Sequence, residues 1–135
     1  MPFSKVHHCV LCEDARLERR RLASLLGFYG ILPRVHILIS TFNEAPSKFT
    51  FGFIGEPLKG SSTLSVRIVD DQNTNIKSTQ TITVSLESSQ GDTTLFVAME
   101  GIVFKAPGKH WVELIADVRF RNSFDIRQGN PKDFE

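Results

Sequence analysis

His7, His8, Cys9 and Cys12 form the densest local group of metal-ligand side chains in the chain, and zinc accepts both imidazole nitrogen and thiolate in a tetrahedral site. A Cys-x-x-Cys pair suits such a site when it lies on a turn and a second ligand pair completes it downstream. Here Val10 and Leu11 separate the cysteines, no second pair follows, and His36 and His110 stand far off in the sequence. On a strand, positions three apart point to opposite faces, which prevents an easy internal disulfide. The expectation is two reduced, metal-free thiols packed as small hydrophobes, with exposed imidazoles. A redox pair would need to open a helix, where the dipole lowers the thiol pKa, and no βαβ pattern surrounds Cys9.

Other groups invite chemistry more weakly. Asp70, Asp71, Asn73 and Asn75 offer oxygen ligands at alternating positions, as a calcium loop would, but the central glycine and bidentate glutamate of a helix-loop-helix site are missing. An ordinary solvated loop is expected there. Glu100 and Glu113 lie in apolar stretches and invite comparison with a glycosidase carboxylate pair. Strand alternation instead sets each glutamate opposite its apolar neighbours, toward solvent. Trp111 shares a face with Glu113 and offers a sugar-stacking platform, although a core or edge cap is the simpler role. Arg19, Arg20 and Arg21 make one dense basic cluster, a candidate phosphate-binding tip, offset by Glu13, Asp14 and Glu18. No Gly-x-Ser-x-Gly elbow or Ser, His and carboxylate set is recognisable. No catalytic residue, metal or cofactor is expected from local motifs.

The chain of 135 residues has room for one domain and is long enough to bury a core. Hydrophobic residues make up 41% and charged residues 23%, a globular mixture. Sixteen Lys and Arg against fifteen Asp and Glu leave no overall field toward nucleic acid, anionic membrane or acidic substrate. The N-terminal residues lack an apolar signal core and no stretch has the span of a membrane helix, so a soluble, cytoplasmic protein is expected.

Strand periodicity dominates the elements that must position these residues. Leu64-Ser65-Val66-Arg67-Ile68 and Thr81-Ile82-Thr83-Val84-Ser85-Leu86 alternate apolar and polar, and Asp70 to Asn75 reads as the exposed loop between them. Phe49, Phe51 and Phe53 lie two apart, which on a strand puts three rings on one face. Leu95 to Phe104 is nearly continuous in apolar character, as in a central strand covered on both sides or one whose phase shifts at a bulge at Gly101. Pro107-Gly108 suits a type II turn and predicts a hairpin leading into His110 to Val118. A last strand lies around Ser123 to Arg127, followed by a frayed tail over 129–135. Val6 to Cys12 and Val35 to Ile39 also read as strands. Asp14 to Leu26 has helix-forming composition with Asp14 as N-cap and Gly27 as stop, and periodicity alone does not decide it.

Cys12-Glu13-Asp14-Ala15-Arg16-Leu17-Glu18, then Ser24-Leu25-Leu26-Gly27-Phe28-Tyr29-Gly30, resembles the opening of a bacterial domain-of-unknown-function family of small β-sandwich proteins. The shared spacing is Cys-x-Asp-x-Arg-x-Glu, then Ser-Leu-aliphatic-Gly-x-Tyr-Gly, with Ala106-Pro107-Gly108 before an aromatic strand. The resemblance implies strand, turn and strand over these residues, with Arg19-Arg20-Arg21 where the family has a small or glycine-containing turn.

The expected architecture is all-β: a single antiparallel β-sandwich over 1–128, Ig-like or jelly-roll-like, with about eight or nine strands. The expected role is a non-enzymatic interaction or accessory module that self-associates or binds a protein partner. A small-ligand, carbohydrate-type binder using Trp111 or the inter-strand loops is the alternative, and a hydrolase with a non-local site is third. Ile31 to Ile39 and Phe96 to Phe104 carry few charges to guard an edge, so if either lies at one it can pair with another chain, with Ile37 and Val97 as positions where a charge would probe association.

Overall fold

The computed structural model describes residues 3–17, 23–44, 46–57, 60–79, 82–86, 93–116 and 119–129. Among them are ten strands and no helix: β1 (Phe3–Leu17), β2 (Ala23–Ile31), β3 (His36–Ile39), β4 (Ser47–Pro57), β5 (Gly60–Asp70), β6 (Asn75–Ser78), β7 (Ile82–Leu86), β8 (Thr93–Ile102), β9 (Gly108–Ile115) and β10 (Phe120–Gln128). One sheet has the order β2-β1-β4-β8; the other runs β3-β10-β9-β5-β6, with β7 also paired to β5. The chain is all-β as expected, with more strands than expected and one departure from antiparallel pairing, since β3 lies parallel to β10.

The core follows from alternation. Phe49, Phe51 and Phe53 of β4 are all buried toward the second sheet, where Phe51 meets Phe124 and Phe53 meets Phe120, each with ring centroids 6.0 Å apart. Cys9, Leu11, Val97 and Met99 join them from the first sheet, and Val66, Ile68, Val112, Leu114 and Ile126 from the second. Each fully buried side chain of this kind contributes about 1.5–3 kcal/mol. Phe104, between β8 and β9, closes one end against Phe49 and His110.

Asp14 to Leu17 and Ala23 to Leu26 resolve as strand. β1 pairs with β2 through Asp14↔Leu26, Ala15↔Leu25, Arg16↔Ser24 and Leu17↔Ala23, while its other edge pairs with β4. The β1–β2 ladder outweighs the local helix propensity, and β4 holds β1 just before it, over Phe3 to Cys12. Residues 18–22, including the Arg19, Arg20 and Arg21 tip, lie outside the described residues.

Four expectations need correction. Gly108 does take a positive φ of 137°, but β8 pairs with β4 and β9 with β5 and β10, so Pro107-Gly108 lies on a crossing between sheets and not in a hairpin. The hairpin turn is Asp70 to Asn75, which leads into β6; the stretch between the two alternating segments thus holds a strand as well as a loop. β8 is an edge strand and not a central one, with the expected bulge: Ser47↔Ile102 and Phe49↔Met99 leave an extra residue around Gly101, whose φ is 67°. Finally, Gly129 is buried and its N–H donates to the Ile39 carbonyl at 3.0 Å, so fraying does not begin at 129.

Candidate functional site

On the outward face of the second sheet, Lys109, Trp111 and Glu113 alternate with the core-facing His110, Val112 and Leu114. Register sets Arg67 of β5 and Arg121 of β10 on either side of Glu113. Arg67 Nη2 lies 3.0 Å from Glu113 Oε2 and Arg121 Nε lies 3.6 Å from Oε1. The glutamate side chain is only 9% exposed. The expected solvent exposure of Glu113 is therefore overturned: alternation placed it on the right face, but two guanidinium side chains cover and neutralise it. Glu100 sits on the other sheet, exposed and paired with Lys48 at 3.6 Å, so the two glutamates do not face each other.

Trp111 is half-buried on this outward face of a central strand, neither core nor edge cap. Arg121 Cζ stands 4.4 Å and Lys109 Nζ 4.9 Å from its ring centroid. The ring already holds the cations that a stacked sugar would have to displace. Opposite it in register, Val69 is fully buried although it points away from the core.

The histidine and cysteine group does not converge. Cys9 enters the core, whereas Cys12 is buried on the outward side with its Sγ 3.6 Å from the Thr50 carbonyl. Both thiols are free. Burial raises the Cys9 pKa, with the neighbouring Cys12 adding to it; burial and then Asp14 raise that of Cys12. His7 lies 3.6 Å from Glu56, and His8 is exposed. Among the described residues, no three His, Cys, Asp or Glu side chains form a metal-ligand group. Asp70 Oδ1 accepts from the N–H groups of Gln72 at 3.0 Å and Thr74 at 2.8 Å, so this carboxylate shapes its own turn, while Asp71 is exposed.

At the flank between the edge strands β2 and β3, a cleft of about 450 Å³ is lined by Glu13, Tyr29, Ile37, Lys48 and Phe49. The Tyr29 hydroxyl donates to Glu13 Oε1 at 3.3 Å and its ring meets Phe49 edge-on at 5.7 Å. Burial, then the Glu13 charge and hydrogen bond, raise the Tyr29 pKa.

The outward face of the first sheet has a different character. One rung across its four strands reads Ile31, Val10, Gly52, Phe96; the next reads Phe28, Cys12, Thr50, Ala98. Neither rung holds a charge. An ideal Cβ on Gly52 would lie 2.8 Å from Val10 Cγ2 and 3.0 Å from Phe96 Cε1, so the Phe96 ring leans inward over a position that must stay small. A hollow of about 390 Å³ beside it is lined by Thr50, Thr94, Phe96 and Ala98 with Asp14. Among the described residues, the exposed large hydrophobics are Leu25, Phe28, Tyr29 and Ile31, all on β2. Phe28 and Ile31, 54% and 51% exposed, border this face.

None of these face residues follows from motif reading. The available signal was Cys9-Val10-Leu11-Cys12, a run with no polar alternate, which makes both faces of β1 apolar. β3 and β8 are terminal in their sheets, but Ile37 and Val97 are buried in the core and a charge there would test folding. No protein-family model matches the chain, and no curated protein matches it.

Proposed function

We propose that this chain is a non-enzymatic β-sandwich module that binds a protein partner through its exposed edge strand β2. One observation carries the reading: among the described residues, the exposed large hydrophobics Leu25, Phe28, Tyr29 and Ile31 all gather on this one edge strand, whereas the centre of the face beside it, at Val10, Cys12 and Thr50, is buried within the chain. Large apolar side chains exposed together along one edge mark an association site more often than singly scattered ones do. The opposite outward face, with Arg67, Glu113, Arg121 and Trp111, already pairs its charged side chains with one another. Two buried free thiols fit a reducing compartment, and the cytoplasm is the proposed location.

Affinity capture with wild-type chain, Phe28→Asp and Trp111→Ala as baits tests the reading. The expected result is a stoichiometric partner, of this chain or another, retained by wild type and Trp111→Ala and lost by Phe28→Asp. Equal retention by all three would overturn it. The cleft beside Tyr29 favours a second reading, a small-ligand binder, because it combines an aromatic wall with a carboxylate and a hydroxyl. That reading predicts saturable binding of a small molecule that Glu13→Gln weakens and Phe28→Asp leaves intact.

A further inference from the structure

We infer that β2 takes its partner as an added strand: an extended segment of another protein that pairs with the free edge of β2 and sets a lysine or arginine against Glu13. The inference rests on the reading above and names the chemistry of its partner. Among the described residues β2 pairs only with β1, so its second edge carries no ladder. Edge strands are commonly guarded by charged residues or proline, and the nine residues of Ala23–Ile31 include neither. Strand addition at such an edge satisfies the backbone, and alternate side chains of the newcomer decide which segment fits.

One charge does reach this edge, from the strand behind it. Gly27, the middle residue of β2, lies across from Glu13, and an ideal Cβ there would stand 2.7 Å from Glu13 Cγ and Cδ and 2.9 Å from Oε2. The glutamate side chain thus lies over the β2 backbone, in space that any residue other than glycine would fill. The Tyr29 hydroxyl donates to Oε1 at 3.3 Å, while Oε2 has no hydrogen-bond or ion-pair partner among the described residues. Of the other charged groups lining this cleft, Lys48 pairs with Glu100 at 3.6 Å and Asp14 adds a second carboxylate. Directly opposed residues of neighbouring strands share a face, so the residue of an added strand beside Gly27 points its side chain at Oε2 and the Tyr29 ring. Both favour a cation. The same carboxylate disfavours a second copy, because two β2 strands paired about Gly27 would bring two Glu13 side chains together.

Selection from a random linear peptide library displayed on phage, against the wild-type chain and against Glu13→Lys, tests the inference, with circular dichroism to verify folding. Wild type is expected to enrich lysine or arginine at one fixed position among apolar residues, and Glu13→Lys to enrich aspartate or glutamate at that position. A peptide selected by wild type is expected to bind Glu13→Gln about fivefold more weakly and Phe28→Asp about tenfold more weakly. N-methylation of alternate peptide amides, those turned toward β2, is expected to weaken binding about tenfold each, and methylation of the intervening amides to matter little. Peptides that need Phe28 but enrich no basic residue, or that keep it against Glu13→Lys, overturn the inference and leave β2 as the binding edge. Indifference to the methylation pattern overturns strand addition in the same way. A wild-type dimer that Phe28→Asp dissociates overturns the foreign partner alone. Failure to enrich any peptide overturns the inference, while the affinity capture above still decides the reading. Basic peptides that depend on Glu13 and not on Phe28 overturn both, in favour of the cleft.

Discussion

Arg67 brings both Nε and Nη2 to the same oxygen of Glu113, at 3.1 and 3.0 Å, while Arg121 approaches the other oxygen at 3.6 Å. Removing Arg67 leaves a carboxylate that is 9% exposed with only the more distant Arg121 for company. Loss of one partner from a fully buried pair costs about 3–5 kcal/mol; the 33% exposure of Arg67 reduces the expected loss to about 2 kcal/mol. Urea unfolding of Arg67→Ala should show that loss. Arg121→Ala, whose side chain is 47% exposed, should lose under about 1 kcal/mol. The double variant Arg67→Met with Glu113→Leu should recover most of the stability, because no charge is then stranded. Equal effects of the two arginines would contradict this arrangement.

Alkaline pH should destabilise the fold through its thiols. The fold holds Cys9 and Cys12 in the protonated form by burial, whereas unfolded thiols ionise at about pH 8.5. A raised folded pKa means that this contribution is complete below the unfolded value and is lost progressively as pH rises above it toward the folded value. The slope approaches about 1.4 kcal/mol per pH unit for each thiol that stays protonated. Urea midpoints from pH 7 to 10 should fall above about 8.5, and Cys9→Ala should flatten the fall despite lower stability at neutrality. A chelator should leave the melting temperature unchanged at pH 7. Stoichiometric zinc, lost with unfolding on chelation, would overturn the reading of packed thiols.

Two glycines of β4 should respond differently to one methyl group. At Gly55 an added Cβ collides with the Lys5 carbonyl oxygen and backbone, beside the bulge where β1 shifts register between Val6 and His8. Gly55→Ala therefore requires the sheet itself to move and should cost more than about 3 kcal/mol. At Gly52 the contacts are Val10 and Phe96 side chains, and Phe96 can rotate away. Gly52→Ala should cost about 1 kcal/mol. Thermal melts of the two variants should rank them in this order, and the reverse order would contradict the close approach at Lys5.

Local periodicity made the inside of the protein readable. Phe49, Phe51 and Phe53 announced a strand face, and Gly101 announced the bulge that shifts β8 out of phase. What periodicity omits is who stands alongside. Glu113 was placed on the correct face, but its burial depends on Arg67, 46 residues away, and on Arg121. Pro107-Gly108 disclosed a turn without disclosing that the strands on either side of it belong to different sheets. The outward apolar face needed even more distant information, since Ile31, Val10, Gly52 and Phe96 come from four strands and meet only in register. Helix propensity at Asp14 to Leu26 misdirected because the hairpin that replaces the helix is anchored outside that stretch, where β1 pairs with β4 through Phe3 to Cys12 and with β2 through Val10↔Ile31.

The parallel pairing of β3 with β10 matches His36 to Asp125 and Ile39 to Gln128, partners about 90 residues apart in the chain. During synthesis on a ribosome adding roughly 5–20 residues per second, the β3 backbone waits roughly 4–18 s for its hydrogen-bonding mate to be made. For that interval Ile37 has no finished core to enter, and the nascent chain must keep this short segment from unproductive pairing. Its brevity is the safeguard: a strand of four residues offers a passing neighbour too few backbone groups to hold it.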